Sequence, residues 1–283
     1  MILKHQHIKL AGRIVFECLM FQPPLKSNSS MKEEACFMHV VKGKSRLFTP
    51  KHHIEVESRD SLLMRCGRYL NNWYLNPSRE PNEVVLIHFY PDMLAALFED
   101  EPPVFLQSNK SGNPQQVLKI RGDQMIRNYI QSLLYGFEKQ ELQSESWIQV
   151  KLKEILFILG NAPYANKSQA ILSNLFSEEQ HAFKEIIQSH LYDDLTSQDL
   201  AVIAGCSLSS FKRKFKATFG SSPNRYIHQQ RLLRARNLLS QTDQHISEIA
   251  RDCGFRDLSY FSRSFSAFYE SSPSAYRKLH ARK

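Results

Sequence analysis

Glycine is scarce in this sequence, with 10 in 283 residues, and nowhere does it gather into a phosphate-cradling loop or a Gly-x-Ser-x-Gly turn. Those two enzyme signatures are therefore excluded. Cysteine is equally sparse. The five (Cys18, Cys36, Cys66, Cys206, Cys253) are odd in number, and none belongs to a Cys-x-x-Cys pair, so neither a disulfide framework nor a zinc site is signalled. Cys206 and Cys253 adjoin Gly205 and Gly254, where small buried thiols are the plain reading. No apolar run approaches the roughly 20 residues of a membrane helix, and residues 1–10 alternate apolar side chains with Lys and His where a secretory leader has an apolar run. A protein of a reducing compartment with no membrane segment is expected. Histidines lack partners at metal-ligand spacing. His52 and His53 are consecutive and point to opposite faces of a strand, while His5 and His7 have no accompanying carboxylate pattern. No metal, no cofactor and no catalytic constellation is expected, so the chain reads as a non-enzyme.

Positive charge is present in excess and unevenly placed. The formal charge is +9. Residues 181–283 hold 16 Lys and Arg against 9 Asp and Glu, hence +7, and residues 1–180 hold 21 against 19, hence +2. A basic segment attracts phosphate through counterion release, although a solvated basic face gives the same count. The hydrophobic fraction of 42% allows a sizeable core, and the length favours two domains over one.

The basic part contains one pattern twice. Leu200–Cys206, Phe211, Phe215, Phe219 and Ser221-Ser222-Pro223 return as Ile249–Phe255, Phe261, Phe265, Tyr269 and Ser271-Ser272-Pro273. The offset is 49 before the glycine (201 to 250) and 50 after it (211 to 261), so the second turn holds one extra residue. Two copies are too few for a solenoid. Each reads as helix–turn–helix. A first helix starts at Ser197-Gln198-Asp199 with an oxygen side chain as cap and an acid in its first turn. Gly205 ends it, as a residue tolerant of positive φ would. Ser207 or Ser209 caps the next helix, in which Phe211, Phe215 and Phe219 face the core. In the second copy Asp257 is the cap, with Phe261, Phe265 and either Phe268 or Tyr269 inward. Residues 222–240 read as a joining helix opened by Ser-Pro, with Tyr226, Leu233, Leu238 and Leu239 as its apolar residues. Lys212 and Arg213 are long cations off the core stripe and can reach base edges, arginine on guanine being the commonest specific contact.

Ala-Gly-Cys-Ser at 204–207, Arg-Leu-Leu-Arg-Ala-Arg at 231–236, Ile-Ser-Glu-Ile-Ala-Arg-Asp-Cys-Gly-Phe at 246–255 and Ser-Tyr-Phe-Ser-Arg-Ser-Phe at 259–265 resemble the DNA-binding domain of AraC/XylS-type transcription regulators. The resemblance spans roughly the last hundred residues, in order, spacing and both repeats. It implies a domain over 177–283 of two helix–turn–helix units on a linker helix, double-stranded DNA as partner, a cytoplasmic location, and activation through RNA polymerase. Reading successive major grooves needs about 34 Å between recognition helices. The resemblance puts Ser209, Lys212 and Arg213 of the first helix, and Leu258, Ser259, Ser262 and Arg263 of the second, toward base edges. Leu258 could meet a thymine methyl or lie in the core, and Arg213 and Arg263 could pack the units together instead. Lys214, Lys216 and Arg256 are phosphate candidates.

Residues 11–91 read as short strands (13–21, 36–41, 46–49, 52–57, 62–65, 73–75, 83–90) broken by turn signals, which suggests a β-sandwich or barrel. With the helices that follow, the expected class is α+β, and the layout of residues 1–170 resembles the cupin-like jelly-roll sensor and dimerisation half of many such regulators. Helices are expected at 92–98, at 121–141 with Met125, Ile126, Tyr129, Ile130, Leu133, Leu134 and Phe137 on one side, and at 147–160 with Trp147, Val150, Leu152, Ile155, Leu156 and Ile158. Between them 99–113 reads as a loop. The helices within 121–160 either pack on their own barrel or pair with a second copy. Residues 161–173 are polar, the linker is expected between there and Glu178, and helix resumes at 177–191. The N-terminal half is a small-molecule sensor, a protein-partner surface or a cupin-type enzyme; the missing metal cluster argues against the last.

Overall fold

The computed structural model describes residues 1–31, 34–75, 80–98, 103, 116–161, 165–172 and 183–280. The chain divides into two compact units, one of residues 1–49 and 53–180, the other of 50–52 and 181–283. The first is a mixed α+β unit on antiparallel sheets, and the second is helical.

The first unit begins with strands β1 (Ile2–Leu10), β2 (Arg13–Phe21), β3 (Leu25–Met31), β4 (Ala35–Lys42), β5 (Lys44–Phe48), β6 (His53–Glu57), β7 (Asp60–Met64), β8 (Gly67–Trp73) and β9 (Asn82–Phe89), and adds β10 (Val117–Arg121) later. One sheet has the order β1-β2-β9-β4-β7-β10 and the other β3-β8-β5-β6, with every pairing antiparallel. The strand expected at 73–75 lies earlier, as β8 at Gly67–Trp73, and shares only Trp73 with the expectation. Three further strands go beyond the sequence expectation. Residues 1–10 form the edge strand β1, paired with β2 through Ile8 opposite Phe16. β3 is polar (Lys26, Ser27, Asn28, Ser29) and gives little hydrophobic signal, but it pairs along its length with β8. β10 pairs with β7, which moves the start of the following helix from 121 to 124.

Alternation decides what each strand covers. Val84 of β9 joins a cluster between the sheets with Phe21, Met38, Leu47, Tyr69 and Trp73. Val85, Ile87 and Phe89 turn to the opposite face and pack with helices. Both faces of the larger sheet are thus covered, so β9 reads as an unbroken apolar run. The helices are α1 (Pro91–Leu97), α2 (Gln124–Glu138), α3 (Glu145–Asn161) and α4 (Ala165–Leu172). Asp123 caps α2 by accepting from the Ile126 amide at 2.9 Å. A Cβ on Gly136 would lie 2.4 Å from the Trp147 ring, so the glycine allows α2 and α3 to approach closely there.

Met125 and Val150, expected on the apolar side of these helices, are instead exposed, each at 60%. The contiguous part of each stripe went inward and these flanking residues did not. Residues 165–172, read as polar, form α4 and bury Ile171 and Leu172 in the helix-side core. The stretch 173–182, to which the linker and the start of a helix were assigned, lies outside the described residues, as does the loop at 99–113 apart from Pro103.

The second unit contains α5 (Phe183–Ser189), α6 (Ser197–Ile203), α7 (Leu208–Phe219), α8 (Pro223–Gln241), α9 (Ile246–Asp252), α10 (Leu258–Tyr269) and α11 (Pro273–His280). It holds two apolar cores. Phe183, Ile187, Leu200, Phe211, Phe215 and Ile227 make the first. Leu232, Ala235, Leu239, Ile249, Phe261 and Phe265 make the second.

Candidate nucleic-acid interface

The repeated pattern folds into two repeated helix pairs, α6–α7 and α9–α10, on either side of α8. Local chemistry explains each boundary. Thr196, one residue before the expected cap, closes α6: its hydroxyl accepts from the Asp199 amide at 3.2 Å and the Asp199 carboxylate accepts from the Thr196 amide at 2.9 Å. This reciprocal arrangement satisfies two amides that the helix leaves without partners. Ser207, not Ser209, caps α7 through the Ser210 amide, and Asp257 caps α10 through the Tyr260 amide. Ser222 stands at the start of α8 in extended conformation and Pro223 occupies the first helical position, with no side-chain cap bond. The buried residues of α8 are Ile227, Leu232, Ala235 and Leu239; Leu233, expected inward, is exposed.

On α7 the Phe211 and Phe215 rings are fully buried and Phe219 half-buried against Tyr226. On α10 Phe261 and Phe265 are fully buried. Tyr269 completes the stripe against Tyr276, and Phe268 is exposed. With aromatic residues every four positions facing inward, Arg213 and Arg263 fall on the outward side of their helices, and both are exposed. Ser209, Lys212, Lys214 and Lys216 are also exposed on the first helix, and Leu258 and Ser259 on the second, with Ser262 half-buried. Leu258 at 45% exposure is not a core residue. Lys214 leans over the Phe183 ring, its Nζ 4.9 Å from the centroid. Arg256 donates to Asp194 at 2.5 Å, and that carboxylate holds its guanidinium pKa above the ordinary value. At the positions of Lys212 and Lys216 the second helix has Ser262 and Ser266, so it carries fewer cations.

The sequence reading missed Arg231, whose charge on a helix reads as one more solvated cation. Its Nε donates to the Leu191 carbonyl at 2.9 Å, Nη1 to the Gly254 carbonyl at 2.7 Å and Nη2 to the Asp193 carbonyl at 2.5 Å. Burial lowers its pKa from the usual arginine value. Beside it, Arg234 lies 4.1 Å over the Tyr192 ring. The His228 ring meets Phe255 edge-on at 5.8 Å, and burial and then Arg231 lower the His228 pKa. A cleft of about 550 Å³ opens here between the helix pairs, lined by Asp194, Arg225, His228, Arg231, Arg256 and Tyr260 among others.

Two protein families match the chain. The family described as "Helix-turn-helix domain" matches residues 200–279, and that described as "ExsA N-terminal regulatory domain" matches residues 35–171. Among curated proteins, the transcriptional activator NphR of Rhodococcus sp is 38% identical over 107 residues, covering 38% of this chain and 32% of its own. The HTH-type transcriptional regulator ExsA of Pseudomonas aeruginosa is 27% identical over 129 residues, 46% of either chain. The virulence regulon transcriptional activator VirF of Yersinia enterocolitica is 22% identical over 220 residues, 77% of either chain. The matches to the first two span less than half of those relatives' length.

Proposed function

We propose, from the premise that this chain belongs to the AraC/XylS type of transcription regulators, that it binds double-stranded DNA by sequence and activates transcription. In this reading α7 and α10 enter successive major grooves of one duplex. Ser209, Lys212 and Arg213 read bases on the first block, and Leu258, Ser259, Ser262 and Arg263 on the second. Lys214, Lys216 and Arg256 contact phosphates, Lys214 and Arg256 while keeping their contacts to Phe183 and Asp194. The observation that carries the reading is the duplicated aromatic stripe: it buries one side of each helix and leaves Arg213 and Arg263 outward at equivalent positions. Sequencing of DNA fragments retained by the purified chain tests it. The expected motif has two blocks with centres about 10 base pairs apart; no enrichment, or a single block, overturns it.

The N-terminal unit is read as a cupin-like jelly roll that regulates the DNA-binding unit. What supports the jelly roll is the strand order: β2-β9-β4-β7 in one sheet against β3-β8-β5-β6 in the other is the interleaving of two Greek keys. Among the described residues, Phe21, Met38, Tyr69 and Trp73 pack together between the sheets. The unit regulates either through a small ligand or through a protein partner on its surface. The surface assigned to a second copy is the α2–α3 face, where Met125, Tyr135, Val150 and Phe157 are exposed. A contact with RNA polymerase and a cytoplasmic location follow from the activator role. Among the described residues no helix is long and apolar enough to cross a membrane, and no group of three His, Cys, Asp or Glu could hold a metal. The alternative reading is a cupin-type enzyme or protein-partner module fused to a DNA-binding tail.

A further inference from the structure

We propose that Arg231 is a positioning residue that fixes how far apart, and at what angle, α7 and α10 are presented, and so sets which spacing between the two DNA blocks is accepted. This rests on the DNA-reading proposal above.

The two helix pairs have no common apolar core. Ile227 of α8 belongs to the first core and Leu232, Ala235 and Leu239 to the second. Arg231 stands at the seam. Burial of the two aromatic stripes holds each pair to its own stretch of α8 but does little to hold one pair to the other. The cleft between them is lined by both charged side chains (Asp194, Arg225, Arg256) and apolar ones (Ile227, Phe255). Across this seam one planar guanidinium ties three backbone oxygens. Leu191 and Asp193 lie on the segment leading into the first pair, and Gly254 is in the turn of the second. A guanidinium offers five donors in a fixed fork, so three simultaneous bonds define both a distance and an orientation. Lysine, a flexible point charge, cannot reproduce that.

Gly254 has φ +81°, and a Cβ there would lie 2.6 Å from the Tyr192 carbonyl oxygen and 2.9 Å from the Arg231 Cζ. The turn of the second pair is thus pressed against both the first pair's leading segment and the guanidinium. The Asp194–Arg256 pair makes a second, exposed tie across the seam, and the His228 ring adds its edge contact to Phe255.

The test measures full-chain binding to a selected DNA site and to versions with one base pair inserted or removed between the blocks. One base pair shifts a block by about 3.4 Å and turns it by roughly 35°. The wild type is expected to disfavour either change at least tenfold. Arg231→Ala should reduce that ratio to threefold or less, Arg231→Lys should fall between, and Asp194→Asn should lower it slightly. Melting curves establish that each variant is folded. If Arg231→Ala does not fold, Arg231→Lys and Asp194→Asn carry the comparison. Folded variants that keep the full spacing ratio, or lose affinity evenly at every spacing, overturn the proposal. So does a wild type that binds both blocks with no spacing preference. A wild type with no sequence preference at all counts against the DNA-reading proposal instead.

Discussion

Phe215 and Phe265 hold equivalent places in α7 and α10, and each meets the tyrosine of the following helix in the same way. The Phe215 and Tyr226 rings lie 5.7 Å apart at 70°, and the Phe265 and Tyr276 rings 5.6 Å apart at 78°. The repeat therefore extends beyond the helix–turn–helix pairs to the packing of the helix after each. Both phenylalanines are at 0% exposure. Replacing either by Ala should cost about 3–5 kcal/mol, as for a fully buried phenylalanine, with each loss confined to its own core. Denaturant unfolding of the full chain measures this; a cost below about 1 kcal/mol for either would contradict separate, tightly packed cores.

Arg213 and Lys212 face outward on the cation-rich helix. Arg213→Ala should relax base preference at one position, worth about 1–3 kcal/mol of discrimination, while leaving the other block unaltered. A binding-site selection reads this directly, and an unchanged motif would remove Arg213 from the base-reading set.

Lys216→Ala should act differently, weakening binding evenly across sequences and lowering the salt slope by about one. Titrations at several salt concentrations check it. A changed sequence preference would move Lys216 from the backbone to the bases.

His39 makes the N-terminal unit sensitive to acid. Its Nδ1 lies 2.8 Å from the Ser61 hydroxyl. Burial brings its pKa down from 6.5 to about 4, with Asp60 opposing that shift and Arg127 adding to it. Because the folded value is below the unfolded one, the neutral ring's contribution is complete above about pH 6.5 and is lost as pH falls toward 4. The contribution is about 3 kcal/mol. The stability difference between wild type and His39→Gln should shrink over that window; a difference constant with pH would mean that His39 does not titrate with unfolding.

Phe157 and Met125 both line a groove of about 520 Å³ between α2 and α3, floored by Tyr129 and the Lys151–Glu154 pair. If a second copy covers this face, Phe157→Glu should convert the protein to a monomer without loss of helix content, as seen by sedimentation and circular dichroism. A wild type that is already monomeric at tens of micromolar would end that assignment.

The second unit was the more legible in sequence because its pattern is stated twice. The phenylalanine period, the turn glycines and the Ser-Pro start each have one physical reading, and the helices formed where those signals lie. The errors there were of one residue, as with Thr196 for Ser197 and Leu232 for Leu233, where adjacent residues offer the same chemistry. The first unit was harder to read. β3 shows almost no apolar alternation because its order comes from pairing with β8, a long-range partner that local pattern does not reveal. β10 is separated from its partner β7 by more than 50 residues, and its five residues alternate with Lys119 and Arg121, so local pattern did not separate it from the helix that follows. Arg231 was illegible for another reason. Its partners are carbonyl oxygens, which every residue has, so no side-chain type marks where they will be.

The choice of carbonyls has a consequence for how this protein tolerates drift. Arg231 meets Leu191 and Asp193 only through their carbonyl oxygens, so those bonds recognise the path of the chain, while the two side chains are held separately, Leu191 in the first core and Asp193 by the His190 ring at 2.7 Å. Gly254 is constrained by the seam itself, being hemmed in by Tyr192 and Arg231 at a backbone angle other residues resist. Natural variation at the seam should therefore be nearly absent at 231 and 254, confined to apolar residues at 191, and at 193 limited to side chains that can still pair with His190.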